Sequence, residues 1–131
     1  MKAFMRAALG VCVLLSLLYG LSYASLEVED WKDTFPPNTE RYLVTQKKTT
    51  TKSFANASIT GGSASSLWMN VKYNGKDVAT TKKVYNNNTA ERIMYLAEYE
   101  DNQYGLGLTC SVVARQTGVF NENARGQART N

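Results

Sequence analysis

Three carboxylates and a thiol lie close together in the C-terminal third of the sequence: Glu98, Glu100, Asp101 and Cys110. A carboxylate can act as a general base and a thiolate is a strong nucleophile, so these residue types could form a covalent catalytic site. However, the sequence contains no histidine. This excludes Ser-His-Asp and Cys-His arrangements and removes the usual ligand of zinc and copper.

Other catalytic and phosphate-binding motifs are also missing from the sequence. No Ser-x-x-Lys dyad follows residue 24, and the glycines at 61–62 and 105–107 lack the lysine of a phosphate-binding loop. We therefore expect a protein that is not an enzyme, with no catalytic residues, no metal and no cofactor.

The sequence leaves two functions for its carboxylates as alternatives, glycoside hydrolysis and calcium binding. Glycoside hydrolysis needs only two carboxylates, so a carboxylate-based hydrolase is the third expected function. Calcium could be bound by residues 27–30 with Asp33, or by Glu100, Asp101 and Asn102, but neither group has the spacing of a recognised calcium loop. The simpler interpretation is a solvated acidic segment and an acidic turn.

The elements that position these residues are predicted to be β-strands. From residue 39 onward threonine and tyrosine are abundant, no window keeps a 3.6-residue apolar period, and turn residues recur at short intervals. The predicted strands are 40–47, 52–59, 66–73, 76–85, 91–100 and 104–115, with a short seventh strand near 117–121. The expected fold is all-β, a small antiparallel β-sandwich or partly closed barrel of six to seven strands.

Two hairpins are predicted in detail. Asn74-Gly75 is typical of a two-residue type I′ turn, which places Lys72 opposite Asp77, Val71 opposite Val78 and Met69 opposite Thr80. A second turn at Asn102-Gln103 gives one continuous apolar face. Its pairs are Tyr99 with Leu106, Ala97 with Leu108, Tyr95 with Cys110, and Ile93 with Val112.

The second register predicts the environment of the thiol. Cys110 would point into the core, where a cysteine behaves as a small, unreactive apolar residue. Glu98 would face the opposite side, and Glu100 and Asp101 would lie in the turn. The apparent catalytic cluster is therefore interpreted as structural.

The N-terminus has the features of a secretory signal peptide. Lys2 and Arg6 precede an apolar stretch at 7–21, and the small residues Ser22 and Ala24, at −3 and −1, predict cleavage after Ala24. The alternative is an uncleaved anchor, although the stretch is shorter than the roughly 20 residues of a spanning helix. We expect a secreted protein with domains 1–24 (signal peptide), 25–38 (irregular acidic lead-in), 39–122 (β domain) and 123–131 (flexible basic tail). Removal of the leader would discard Cys12 and leave 13 basic and 11 acidic residues, a net charge of +2. Such a weak charge argues against nucleic acid as a partner.

The candidate binding residues are Trp68, Asn70 and Lys72, which alternate along one predicted strand. An aromatic residue on a polar strand face can stack on a sugar or mark an interface. The alternative is that the lead-in, with Trp31 and Phe35, folds back and covers Trp68.

Two further patterns have alternative interpretations. The lysines at 46–52 and 80–83 could form a basic stripe for a polyanionic surface, or could protect exposed strand edges from pairing. Residues 56–58 and 87–89 match the glycosylation sequon, with Asn56 and Asn87 as acceptors in a eukaryotic secretory pathway.

From Tyr95 onward the chain resembles small secreted β-rich proteins of Gram-positive bacteria, some of them associated with bacteriocin export and similar in size to lactococcin-972-like bacteriocins. The matching residues are Ala97-Glu98, Asp101-Asn102, and Gly118, Phe120 and Glu122 within "TGVFNEN". Phe120 stands where tryptophan is more usual. The resemblance implies a secreted β domain with bacteriocin-like activity and supplies no catalytic residues.

The expected function is therefore a secreted, non-enzymatic extracellular interaction protein, bacteriocin-like in character. The alternative is a cell-surface or carbohydrate-binding module that uses Trp68. The expected partner is an extracellular protein, a cell-wall polymer or a glycan, with membrane contact only during export.

Overall fold

The computed structural model describes residues 27–50, 52–97 and 107–131, and these residues form nine β-strands. The strands are Glu29–Phe35 (β1), Arg41–Lys47 (β2), Phe54–Gly62 (β3), Ser66–Tyr73 (β4), Lys76–Asp77 (β5), Lys82–Tyr85 (β6), Glu91–Met94 (β7), Thr109–Arg115 (β8) and Glu122–Arg129 (β9). The predicted leader lies outside the described residues. Within the three described ranges, no helix has the length and apolar character needed to cross a membrane.

The strands form two antiparallel sheets, which confirms the predicted all-β fold. One sheet has the order β1-β9-β3-β7, and the other has the order β2-β8-β4-β5, with β6 also paired to β4. The sheets are not closed into a barrel, and the described strands number nine rather than the expected six to seven.

The core lies between the two sheets and contains inward side chains from both. On the five-stranded sheet, Leu67, Met69, Val71, Val112 and their neighbours point inward. The strands β3, β7 and β9 of the four-stranded sheet contribute Ile59, Ile93 and four alanines, at positions 55, 57, 124 and 128. Two aromatics of the edge strand β1 fill the remaining space, with the rings of Trp31 and Phe35 edge to face at 6.3 Å between centroids.

The lead-in and the tail were both predicted wrongly, because each is a complete strand. Residues 29–35 form β1 and residues 122–129 form β9, and the two pair along their whole length, from Glu29 with Ala128 to Phe35 with Glu122. The inward positions of β9 are Ala124, Gly126 and Ala128. Such small residues give almost no hydrophobic periodicity, so the segment resembles a polar tail in sequence.

The Asn74-Gly75 hairpin is confirmed at its turn. Both residues have positive φ, 49° and 76°, and Lys72 pairs with Asp77. Val78 then donates its N–H to the Val71 carbonyl at 2.9 Å. Beyond this point the chain leaves the sheet, and Met69 pairs with Lys82 rather than with Thr80 as predicted.

Residues 78–80 instead connect the two sheets along one side of the sandwich. Ala79 forms a bridge with Tyr95. The N–H of Thr80 donates to Met94 O at 2.8 Å, and that of Leu96 donates to Val78 O at 3.0 Å. The predicted single strand over 76–85 is therefore two short strands separated by this crossing segment.

The second predicted hairpin is wrong in its pairing. Strand β7 pairs with β3, whereas β8 pairs with β2 and β4, so the two strands belong to different sheets. Tyr95 and Cys110 nevertheless point into the common core, with 3% and 2% of their surfaces exposed. The predicted turn, with Glu98, Glu100 and Asp101, lies outside the described residues. The expected short strand at 117–121 is a loop between β8 and β9.

Candidate binding face

Strand β4 presents the three predicted binding residues on the outer face of the five-stranded sheet. Its inward side chains are Leu67, Met69 and Val71, and alternation along an extended strand places Trp68, Asn70 and Lys72 on the other side. The sequence thus predicted correctly that the three share a face. Their accessibility and their partners differ.

Trp68 is accessible, and a lysine lies next to it. It exposes 38% of its surface, and the ammonium of Lys83 lies 5.6 Å from the centre of its ring. The same ammonium lies 5.5 Å from the ring of Tyr85, which is 52% exposed. Lys83 therefore stands between two aromatic rings, a geometry in which the cation is attracted to the ring faces.

The proposed cover of Trp68 by Trp31 and Phe35 is not formed. Both of these side chains are buried between the sheets, on the opposite side of β4 from Trp68. They cannot shield it, because β1 uses its aromatics to fill the core.

Asn70 is buried and already hydrogen-bonded within the protein. Its Nδ2 donates to Thr81 Oγ1 at 2.8 Å, and its Oδ1 accepts from the N–H of Val71 at 2.6 Å. With 7% of its surface exposed, Asn70 fixes the crossing segment after β5 rather than presenting a free amide. Its contribution to a binding site is to shape the surface.

Lys72 is held between two carboxylates. Its Nζ lies 3.1 Å from Glu40 Oε1 and 3.5 Å from Asp77 Oδ1. The hydrogen bond with Glu40, helped by the charges of both carboxylates, raises the pKa of Lys72 above its ordinary value. Because both carboxylates contact the same ammonium, this group is an ion-pair network rather than a free acid and a free base.

These side chains line a polar cavity of about 200 Å³ on the outer face of the sheet. Its walls include Trp68, Asn70, Lys72, Glu40, Asp77 and Arg115. The ring of Trp68 and the charged groups give this small cavity both an apolar surface and hydrogen-bonding groups, although it is more polar than most ligand pockets.

Sequence reasoning missed several residues of this face. Val84 points into the core, so its neighbours Lys83 and Tyr85 must point outward. This alternation within "KKVY" could have been read from the sequence. The positions of Glu40 and Arg115 depend on pairing between distant strands and had no local signal.

The thiol of Cys110 is buried, as predicted. Burial raises the pKa of this thiol above its ordinary value, an effect that the nearby ammonium of Lys48 partly opposes. The partner in that interaction is itself buried, and its Nζ donates to the carbonyls of Thr50 at 2.6 Å and Lys52 at 2.8 Å. The ammonium of Lys48 thus holds together the backbone of the chain segment that follows β2.

The two lysine groups do not form one stripe. Strand β2 and strand β6 lie at opposite edges of the five-stranded sheet, with β8 and β4 between them. Lys47 and Lys82 are exposed on these two edge strands, a placement that favours the edge-protection interpretation.

The two sequons differ in accessibility. Asn56 lies within β3, where its Oδ1 accepts from Asn131 Nδ2 at 2.9 Å and from Arg129 Nε at 3.3 Å. Asn87 lies in an exposed turn after β6.

No group of three or more Cys, Asp and Glu residues that could hold a metal ion occurs in the part of the chain that the structure describes. Comparison of the whole chain with protein-family models, curated proteins and solved structures finds no match. The resemblance to secreted Gram-positive proteins therefore stays a prediction from the residues quoted for it.

Proposed function

We propose that this chain is a secreted, non-enzymatic binding protein that contacts an extracellular partner through the outer face of its five-stranded sheet. The observation that carries the proposal is the pair of exposed rings, Trp68 and Tyr85, placed around Lys83 at the margin of a polar cavity. Single exposed apolar residues are common on protein surfaces, but two aromatic rings grouped around one cation on a strand face form a surface to which we assign binding.

A carbohydrate polymer fits this face better than a protein of complementary shape. Sugar rings have apolar C–H faces, which stack on aromatic rings, and hydroxyl groups around the ring edge. The ammonium of Lys72 and the carboxylates of Glu40 and Asp77 can exchange hydrogen bonds with such hydroxyls, and charged groups make the stronger hydrogen bonds. Cell-wall glycan is the corresponding extracellular polymer for a bacterial secreted protein.

Binding to a glycan array and to purified cell-wall polysaccharide tests the proposal. Trp68→Ala should lower affinity about tenfold or more, because stacking on an aromatic ring is lost while the core is untouched. The control is Phe120→Ala, which removes a more exposed ring outside this face. Unchanged binding by Trp68→Ala, or an equal loss in the control, would contradict the proposal.

A mild substitution tests the ion-pair network separately. Asp77→Asn keeps the size of the side chain and removes one of the two carboxylate charges that contact the Lys72 ammonium. If the network orients the ligand, affinity should fall while the thermal midpoint changes little, because exposed ion pairs contribute little to stability.

The bacteriocin-like activity implied by the resemblance is a separate proposal about the consequence of binding. Inhibition of the growth of related bacteria by the secreted protein would support it. Loss of both inhibition and glycan binding in Trp68→Ala would place the activity on this face.

A further inference from the structure

The loop between β8 and β9 carries the most exposed large apolar side chains of the described residues. Val119 and Phe120 each expose 79% of their surface. They are adjacent, they lie at the tip of the loop, and they belong to the "TGVFNEN" motif, to which the proposed binding face gives no role.

The loop is held open by a buried side chain at its base. Gln116 is 2% exposed, and its Nε2 donates to the carbonyls of Phe35 at 2.9 Å and Phe120 at 2.5 Å. Its Oε1 accepts from the N–H of Gly118 at 2.8 Å. One amide thus fixes the start and the end of the loop and ties both to the end of β1, so the tip is preorganised in its exposed conformation.

Two arginines lie at the base of this loop. Arg115 is the exposed last residue of β8, and Arg41, which is half-buried, pairs with the neighbouring Ala114. Of the nearby carboxylates, Glu40 is paired with Lys72 at 3.1 Å, and Glu122 is half-buried at the start of β9. The tip is therefore apolar and its base has more cationic than free anionic groups.

We infer that this loop inserts Val119 and Phe120 into the interface of a phospholipid bilayer with anionic headgroups. The two side chains together expose on the order of 300 Å², far below the roughly 800 Å² per partner of a stable protein–protein interface. Insertion into a bilayer needs no complementary surface, only apolar groups at a protruding tip. Arg115 and Arg41 then lie at the level of the lipid phosphates, where cations are attracted to anionic lipid.

The loop tip lies outside the sheet face that contains Trp68, although Arg115 at its base also lines the polar cavity of that face. The inference goes beyond membrane contact during export. A protein that holds a polymer on one face and a lipid surface by one loop would be positioned at the cell envelope after secretion.

A fluorophore placed in the loop tests insertion directly. In a Cys12→Ser background, Val119→Cys is labelled with an environment-sensitive dye, and Thr60→Cys on the outer face of the four-stranded sheet is the control. Cys110 is buried and does not compete for the label. Vesicles of phosphatidylcholine with phosphatidylglycerol should shift the emission of the dye at position 119 to shorter wavelength and leave position 60 unchanged. Both labelled proteins carry the same leader, so contact between the leader and the vesicles would affect both of them and not only the protein labelled at position 119.

Flotation with the same vesicles gives the size of the effect. Phe120→Ser should weaken binding about tenfold or more, because a large apolar side chain no longer leaves water. Arg115→Gln should weaken binding to anionic vesicles but not to vesicles of phosphatidylcholine alone. Circular dichroism should show all variants folded, since none of these side chains is buried.

Three results would overturn the inference. The first is a dye at position 119 that does not respond to vesicles. The second is an equal response at positions 119 and 60. The third is a wild-type protein that self-associates in solution and becomes monomeric in Phe120→Ser, which would assign the tip to a second copy of the chain.

Discussion

A methyl group added to Gly126 should destabilise this protein more than almost any other single-atom change. Gly126 lies in β9, between Trp31 of β1 and Ile59 of β3. A Cβ at this position would overlap the carbonyl oxygen of Ser58 and lie 2.8 Å from Cζ2 of Trp31. The strand cannot move away from one neighbour without approaching the other.

The expected loss in the free energy of unfolding comes from two structural costs. Overpacking in a well-packed interior costs about 1–3 kcal/mol. Separating β9 from β3 also weakens the adjacent ladder hydrogen bonds, at about 1 kcal/mol for each bond. Gly126→Ala should therefore lower the free energy of unfolding by about 3–5 kcal/mol, a large part of the 5–15 kcal/mol that is typical of a single domain.

Urea denaturation of Gly126→Ala and of a matched control, Gly75→Ala, measures the effect. Gly75 has open space around its Cβ position but a φ of 76°, so its substitution should cost only about 1–2 kcal/mol for the left-handed backbone. If Gly126→Ala is no more destabilising than Gly75→Ala, the close packing of β1, β9 and β3 at this point is wrong.

Three further predictions concern buried polar groups. In a Cys12→Ser background, Cys110 should react with a thiol reagent more than about a thousandfold slower in the native protein than in urea, because labelling requires opening of the core; rapid native labelling would refute its burial. Gln116→Leu should lower the free energy of unfolding by about 1–3 kcal/mol, because three hydrogen bonds are lost, and should speed chymotryptic cleavage after Phe120; an unchanged cleavage rate would show that the amide does not hold the loop. Stability should also fall as the pH rises above about 9, since burial raises the pKa of Cys110 above its ordinary 9.0 and that of Tyr95 above its ordinary 10.0. The unfolded chain then loses protons that the native state keeps, by up to about 1.4 kcal/mol per pH unit for each group. Burial lowers the pKa of Lys48, and below the ordinary 10.5 this shift makes stability rise with pH, opposite to the effect of Cys110 and Tyr95. Because Cys110→Ala removes one of the two groups whose pKa is raised, its urea midpoint should fall less steeply with pH than that of the wild type.

Local patterns in the sequence predicted which residues point inward better than which strands pair. Alternation in β4 and β8 placed Met69, Val71 and Cys110 in the core, as observed. The same alternation is compatible with two arrangements of β7 and β8, as neighbours in one sheet or as members of two facing sheets. Only contacts with β3, which is distant in sequence, decide between them.

Small inward residues explain why the last strand was missed. Ala124, Gly126 and Ala128 give no strong apolar signal, yet they are required because Trp31 and Phe35 occupy the space above them. The period of two is visible in "ENARGQAR" only when small residues are counted as inward-facing. The binding face was predicted only in part. Strand β4 carries Trp68, Asn70 and Lys72 in one segment, whereas Glu40, just before β2, and Arg115 of β8 reach the same cavity from distant parts of the sequence.

Buried polar side chains connect the first and the last strand of the described residues, where Cys110 is a free cysteine. Nε2 of Gln46 in β2 donates to Glu27 O and to Glu29 Oε1, each at 2.9 Å, and its Oε1 accepts from the N–H of Thr130 at 3.0 Å. The side-chain amide of Gln46, in the five-stranded sheet, therefore holds the start of β1 and the end of β9, which both belong to the four-stranded sheet.

Gln116 makes the equivalent connection at the opposite end of β1. Because these contacts and the core account for stability inside the molecule, removing Trp68 or Phe120 should leave the fold intact. Under the two proposals the exposed rings contact other molecules, so we expect substitution of Trp68 or Phe120 to separate binding from folding in a way that no core variant can.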